Sequence, residues 1–178
     1  MTTMLLEKGA VITLNATDAV LAPGYVYIEE GTIAAVGEGP APEELRQQAG
    51  RVLDCSRMAL LPGLVNAHVH LFQSFVRGLG GDRTLLEWLR QVAWSVFQNM
   101  TGQDIYLATM ISLLENIRGG ATSLIDNHYV HQDHADDEAC RAAEEMGVRY
   151  TLARGWADHD YHPAMQEEPQ RIIAEMER

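Results

Sequence analysis

The stretch Leu60-Leu61-Pro62-Gly63-Leu64-Val65-Asn66-Ala67-His68-Val69-His70 is an apolar run, broken once by Pro-Gly, that ends in two histidines one residue apart. Side chains two apart in a β-strand lie on the same face, so this spacing turns His68 and His70 together while Val69 points into packing. Such a pair makes a two-point corner for a metal ion. Leu64 to Ala67 reads as a buried parallel strand, and the histidines fall at its C-terminal end, where α/β barrels put their chemistry. A His-x-His pair also arises by chance in packed chains; position together with spacing distinguishes this one.

The run from Leu61 to His70 resembles the signature of the amidohydrolase superfamily, metal-dependent hydrolases whose first barrel strand carries a His-x-His pair. The likeness continues upstream, where Val52-Leu53-Asp54-Cys55 with Met58-Ala59-Leu60 is similar to the hairpin leading from that family's small β-domain into its barrel. Downstream, Gly119-Gly120-Ala121-Thr122-Ser123-Leu124-Ile125-Asp126-Asn127-His128-Tyr129 and Gly147-Val148-Arg149-Tyr150-Thr151-Leu152-Ala153-Arg154-Gly155 resemble the second and third barrel strands of the branch that deaminates or dechlorinates nitrogen heterocycles, the 8-oxoguanine deaminase and triazine hydrolase type.

The resemblance implies an α/β fold. Residues 1–59 become the N-terminal part of a small composite β-sandwich domain, and residues 60–178 about the first three βα units of a (β/α)8 TIM barrel. A whole barrel needs roughly 250 residues, and fewer than half that number follow His68, so the sequence reads as a truncated piece. Three barrel strands alone would leave two sheet edges bare, and residues 1 to 178 by themselves are expected to be inert and poorly folded.

The implied activity is hydrolysis of a C–N bond other than a peptide bond, most simply deamination of a purine, pterin or triazine ring. Zinc is the expected ion, with Fe2+ or another divalent metal as alternatives. Such an ion lowers the pKa of its water from 15.7 to about 7, giving a hydroxide that attacks an sp2 ring carbon while a general acid protonates the leaving group. His68 and His70 would be metal ligands, their neutral imidazoles leaving the ion's charge intact. Gln73, His128 and Arg154 would read the ring's edges, and Trp88 is the aromatic expected over the barrel mouth. The remaining ligands and the proton shuttle are expected beyond Arg178, so no catalytic residue is assigned within this chain. A small heterocyclic substrate and a homo-oligomeric full-length protein complete the expectation. Two other readings stay open: a cyclic amidase or N-acyl hydrolase of the same superfamily, and a non-catalytic structural homologue that has lost the metal. The zinc deaminases of nucleic-acid bases are disfavoured, because their H-x-E and P-C-x-x-C ligands are absent.

Composition narrows the partners. Acidic residues outnumber basic ones 25 to 13, giving a formal charge of −12, whereas nucleic-acid binding needs clustered Lys and Arg. With 47% hydrophobic and 21% charged residues, a 178-residue chain can bury a sizeable core. No apolar run approaches the ~20 residues of a membrane span, and Met1 to Lys8 lacks the basic and apolar regions of a signal peptide, so no membrane is expected and a cytoplasmic location is the default. Cys55 and Cys140 stand apart without CxxC spacing and read as reduced packing residues.

In chain order, Met4 to Leu14 reads as a strand or a hairpin broken at Gly9. Tyr25 to Ile28 and Thr32 to Val36 form a hairpin about Glu29-Glu30-Gly31, Pro42 to Gln48 a short helix, and Val52 to Asp54 a strand. The loop Gly78-Leu79-Gly80-Gly81 lacks the lysine of a phosphate cradle. Thr84 caps a helix running to Asn99, with Glu87 completing a capping box. A second helix spans Gly102 to Arg118, capped by Thr101, with Ile105, Leu107, Ala108, Ile111, Leu114 and Ile117 as its sheet-facing side. Ala121 to Ile125 is then a parallel strand, and the three histidines of Asp126 to His134 lie on a run that cannot be assumed to align ligands. His128, at the strand end, is expected to face the pocket of His68 and His70, contacting substrate or supporting the ligands, with a satisfied structural histidine as the equal alternative. A helix from Asp136 to Met146, a strand from Val148 to Ala153 and a helix starting near Glu168 follow.

Overall fold

A two-residue turn sets the geometry of the N-terminal strands. Glu30 and Gly31 take φ of 48° and 77°, the left-handed pair whose twist matches that of a two-residue hairpin, and they join β2 (Val20–Glu29) to β3 (Thr32–Glu38). The computed structural model describes residues 2–177, in two compact units that divide between Pro62 and Gly63. In the first, β1 (Thr3–Ile12) is the centre: it pairs antiparallel with β2. After α1 (Glu43–Gln48), both β4 (Arg51–Asp54) and β5 (Ala59–Leu60) run parallel to β1 along its other edge.

The expected hairpin over Val52 to Leu60 therefore does not form. β4 and β5 lie end to end, and the residues between them are held by hydrogen bonds from Cys55 N–H to Glu7 O and from Met58 N–H to Cys55 O, each 2.8 Å. Nor does Gly9 break β1; Lys8, at φ 68°, makes a local register shift and the strand continues. The buried Glu7 carboxylate is paired with Arg46 of α1 at 2.5 Å, which ties the helix to the sheet. These five strands make one sheet, and Ile33 and Val36 remain 60% and 42% exposed on it.

The second unit is a three-stranded parallel sheet with helices between its strands. β6 (Leu64–Val69) leads through a 3-10 segment, Leu71–Val76, to α2 (Leu85–Trp88), a π-helical turn (Leu89–Ala93), α3 (Trp94–Phe97) and the long α4 (Gly102–Arg118). Then come β7 (Ala121–His128), α5 (Ala135–Met146), β8 (Arg149–Arg154) and α6 (Pro169–Met176). The order is β6-β7-β8, so β7 is central. Gly63 is required where the chain enters β6: a Cβ there would lie 2.0 Å from Thr122 Oγ1.

Three expectations need correction here. β6 is parallel but not buried, since Leu64 and Val65 are 53% and 68% exposed; an edge strand of a three-stranded sheet has neighbours on one side only. The Thr84 to Asn99 helix forms, with Thr84 N–H and O–H both donating to Glu87, but a π turn at Leu89–Ala93 interrupts it, and Leu85 and Leu86 are exposed. In α4, capped as expected by Thr101 and Asp104, the buried side is Ile105, Ala108, Thr109, Ser112 and Leu113, whereas Leu107, Ile111, Leu114 and Ile117 face outward. Small residues let the helix approach closely: Ser112 Oγ donates to Leu71 O at 2.8 Å and Ser74 Oγ to Ala108 O at 3.0 Å. Close backbone approach, not side-chain size, selects the packed face.

Phe72 is the hub of the larger core, with its ring edge-on to Phe97, His128 and Tyr129 at centroid distances of 4.9, 5.0 and 4.9 Å. A second cluster joins Leu71, Leu113, Leu124, Ala142 and Ala143. Burying each large apolar side chain contributes about 1.5–3 kcal/mol. Both cysteines are free thiols, and no helix among the described residues is long and apolar enough to cross a membrane.

Candidate metal centre

His68 sits on β6 and His70 just past its end, with ring centroids 4.9 Å apart and the planes nearly perpendicular. Register explains what surrounds them. Val69 pairs with Asp126 of β7, so the next residue on each strand meets across the sheet: His70 Nδ1 lies 2.6 Å from the main-chain oxygen of Asn127. A carbonyl only accepts, so Nδ1 carries the hydrogen of the neutral ring and the lone pair is left on Nε2. The Asn127 side chain reaches the other ring, its Nδ2 lying 3.1 Å from His68 Nδ1. Two imidazoles with one ring already oriented in this way suit a divalent ion of zinc's borderline character. Among the described residues no group of three or more His, Cys, Asp and Glu is arranged to hold a metal, so His68 and His70 stand as a two-point candidate only.

Support comes from the opposite face of β7. Asp126 is fully buried; one carboxylate oxygen accepts from Leu71 N–H at 3.1 Å, directly after His70, and the other accepts from Tyr150 O–H at 2.8 Å. Burial, joined by the charge of Asp126, pushes the Tyr150 hydroxyl far above the usual tyrosine range, so it stays a donor.

The other expected site residues are scattered around this corner. Gln73 is in reach, its Nε2 donating to Tyr129 O–H at 2.8 Å, with the Tyr129 ring 5.4 Å from His70; burial, with Tyr161 nearby, keeps that hydroxyl protonated. A cleft of about 360 Å³ runs past His70, Gln73, Ser74 and Glu115. His128 does not share the pocket. It has the parity of Leu124 and Asp126, is fully buried against Phe72, and its ring nitrogens lie 2.9 Å from Val130 O and 3.4 Å from Asp126. The histidine is a structural one. Trp88 packs on the larger core and spends its Nε1–H on Leu79 O at 2.8 Å, tying down the glycine-rich loop. Arg154 is buried with Glu167, 2.7 Å away, while its Nε and Nη1 have no hydrogen-bond partner among the described residues. His131 lies 2.8 Å from Gly155 O and beside Asp136, and His134 beside Glu175.

Asn127, Asp126 and Glu167 were not read as site residues from the sequence. Parity carried the signal for Asn127, since position 127 is odd where the apolar Leu124 and the buried 128 are even; nothing local marks Glu167 as the partner of Arg154.

Parallel βα repeats that present a histidine pair at the end of a strand put this molecule among α/β proteins whose chemistry lies at strand termini. The sequence profile of the amidohydrolase family matches residues 59–178, and the chain belongs to that family. A 5-methylthioadenosine/S-adenosylhomocysteine deaminase of Syntrophomonas wolfei is 34% identical over 152 residues, covering 85% of this chain and 33% of its own length. The chain thus spans about a third of the curated relatives it matches. The fold is shared with atrazine chlorohydrolase of Arthrobacter aurescens, complexed with zinc, at TM-score 0.84 and 24% identity over 97% of this chain and 41% of that one. An adenosine deaminase of Xanthomonas campestris with bound zinc gives TM-score 0.78 and 26% identity over 98% and 38%.

Proposed function

We propose that the full-length protein is a metal-dependent aminohydrolase that releases ammonia from a purine-type ring, and that this chain supplies two of its metal ligands, His68 and His70, with part of the substrate pocket. The observation that carries the proposal is the His70 ring, its Nδ1 held 2.6 Å from Asn127 O and its centroid 4.9 Å from that of His68 at a strand end. The deaminase relative, named for adenosine-type substrates, supports the ring class. Residues 1–59 would contribute to a small β-sandwich domain and residues 60–178 the first three βα units of a (β/α)8 barrel, in line with a match to about two fifths of the structural relatives' length.

Zinc, or another divalent ion held there, would supply Lewis acidity to activate water. The chain's own residues bind and orient. Gln73 remains a substrate contact, its amide beside His70, and Arg154 another, because its Nε and Nη1 donors are buried and unpaired and suit a ring nitrogen or carbonyl acceptor. Trp88 reaches substrate only by releasing Leu79. A cytoplasmic, homo-oligomeric enzyme completes the reading. Its test is metal content and ammonia release of the full-length enzyme before and after replacing both histidines with alanine. Loss of bound metal, together with loss of ammonia release from an aminopurine, is expected; undiminished metal would refute the ligands, and turnover of a cyclic amide without ammonia release from any ring would refute the substrate class.

A further inference from the structure

One residue touches both metal-ligand candidates. Asn127, at the penultimate position of β7, meets His70 Nδ1 through its main-chain oxygen and His68 Nδ1 through its side chain. The two contacts differ in what they dictate. The carbonyl can only accept, and therefore fixes the His70 tautomer whatever else happens. The amide has a donor end and an acceptor end of nearly the same shape. With Nδ2 toward His68, the ring must accept at Nδ1 and carry its hydrogen on Nε2; turned over, Oδ1 accepts from Nδ1–H and the Nε2 lone pair is free. Only the second state gives His68 and His70 matching lone pairs for one ion.

Among the described residues Asn127 is the hydrogen-bonding partner of His68 Nδ1. The main-chain N–H of His68 donates to Asn66 Oδ1 at 3.3 Å, which fixes the backbone rather than the ring. We infer that Asn127 is the positioning residue that sets the tautomer and tilt of His68 for metal binding, with its amide accepting through Oδ1 in the loaded centre. The inference rests on the proposed metal site and deepens it: the pair is prepared by a neighbouring strand through one residue, half by main chain and half by side chain.

The side-chain half is separable by substitution. In the full-length protein, Asn127→Leu keeps the volume and removes the acceptor, and zinc affinity measured by competition with a chromophoric chelator is expected to fall about 10- to 100-fold. Asn127→Asp offers acceptors only, and should bind zinc at least as tightly as the parent. Ring 15N shifts of the metal-free proteins give an independent readout: His68 should hold its hydrogen on Nδ1 in the aspartate variant and not in the leucine variant, with His70 unchanged in both. Should the leucine chain fail to fold, Asn127→Ala replaces it, with the same loss expected. Parental affinity in the leucine or alanine variant, or an equal loss in the aspartate variant, would overturn the inference. Failure of the underlying site is distinguishable, because then His68→Ala and His70→Ala would themselves leave zinc binding unchanged.

Discussion

The ends of β6 and β7 each carry histidine, and the two ends treat it in opposite ways. At β6, an edge strand, His68 and His70 stand on a face with room beside it and have rings oriented by Asn127. At β7, the central strand, His128 falls on the helix-covered face, loses all contact with solvent and spends its ring on Val130 O and the Asp126 side. Being at a strand's C-terminal end therefore does not by itself leave a histidine ring open. Parity relative to the helical layer decides whether the ring is buried, and one residue along the chain reverses the outcome.

The sharpest way to break the contrast is to remove the carboxylate beneath both strand ends. Asp126→Ala leaves the buried Leu71 N–H and Tyr150 O–H without acceptors, at a cost of roughly 2–5 kcal/mol. Chemical denaturation of the full-length protein should record that loss, and metal affinity should weaken with it because Leu71 follows His70. A change below about 1 kcal/mol would mean that the carboxylate is not the anchor described.

The direct comparison exchanges histidines. His128→Leu fills similar space but strands Val130 O, and is expected to cost about 3 kcal/mol while metal stoichiometry holds. His70→Ala should show the reverse, with metal lost and stability nearly kept. A drop in metal stoichiometry for His128→Leu would return that residue to the site.

A smaller effect separates a third histidine, His131, from both roles. Burial of Asp136 opposes its ionisation, but the His131 ring, its Nδ1 3.6 Å from the carboxylate, outweighs this and holds the carboxyl at about 2, below its ordinary 3.8. A carboxyl depressed in the folded state stabilises above its unfolded pKa, so this contribution is complete above about pH 5 and fades as pH falls through 3.8 toward 2. It amounts to something on the order of 2 kcal/mol. Asp136→Asn should flatten that part of the acid-unfolding curve; an unaltered slope between pH 5 and 2 would discard the pairing.

What could be read in advance follows the range of each signal. The Glu30-Gly31 turn, the Thr101 cap of α4 and the αL Gly147 closing α5 are decided within four or five residues, and the sequence contains all of what decides them. The same-face arrangement of His68 and His70 is equally local. The packed side of α4 is not, because Leu107, Ile111 and Leu114 out-rank Ala108 and Ser112 in hydrophobicity, and only the approach of the 71–76 segment reveals why small residues lie inside. Nor does composition disclose the π turn at Leu89–Ala93, or that β4 and β5 share an edge of β1. Asn127 was hidden for the same reason: its role exists only once β6 and β7 are in register.

That register has a metric consequence. β6 keeps one edge without a partner among the described residues, and strands that hydrogen-bond to an edge settle about 4.8 Å away, with side chains delivered every second residue. The free edge beside His68 is thus a ruler. Any strand that adds there brings its alternate side chains to the face of both imidazoles at intervals set by backbone hydrogen bonding, whatever those side chains are.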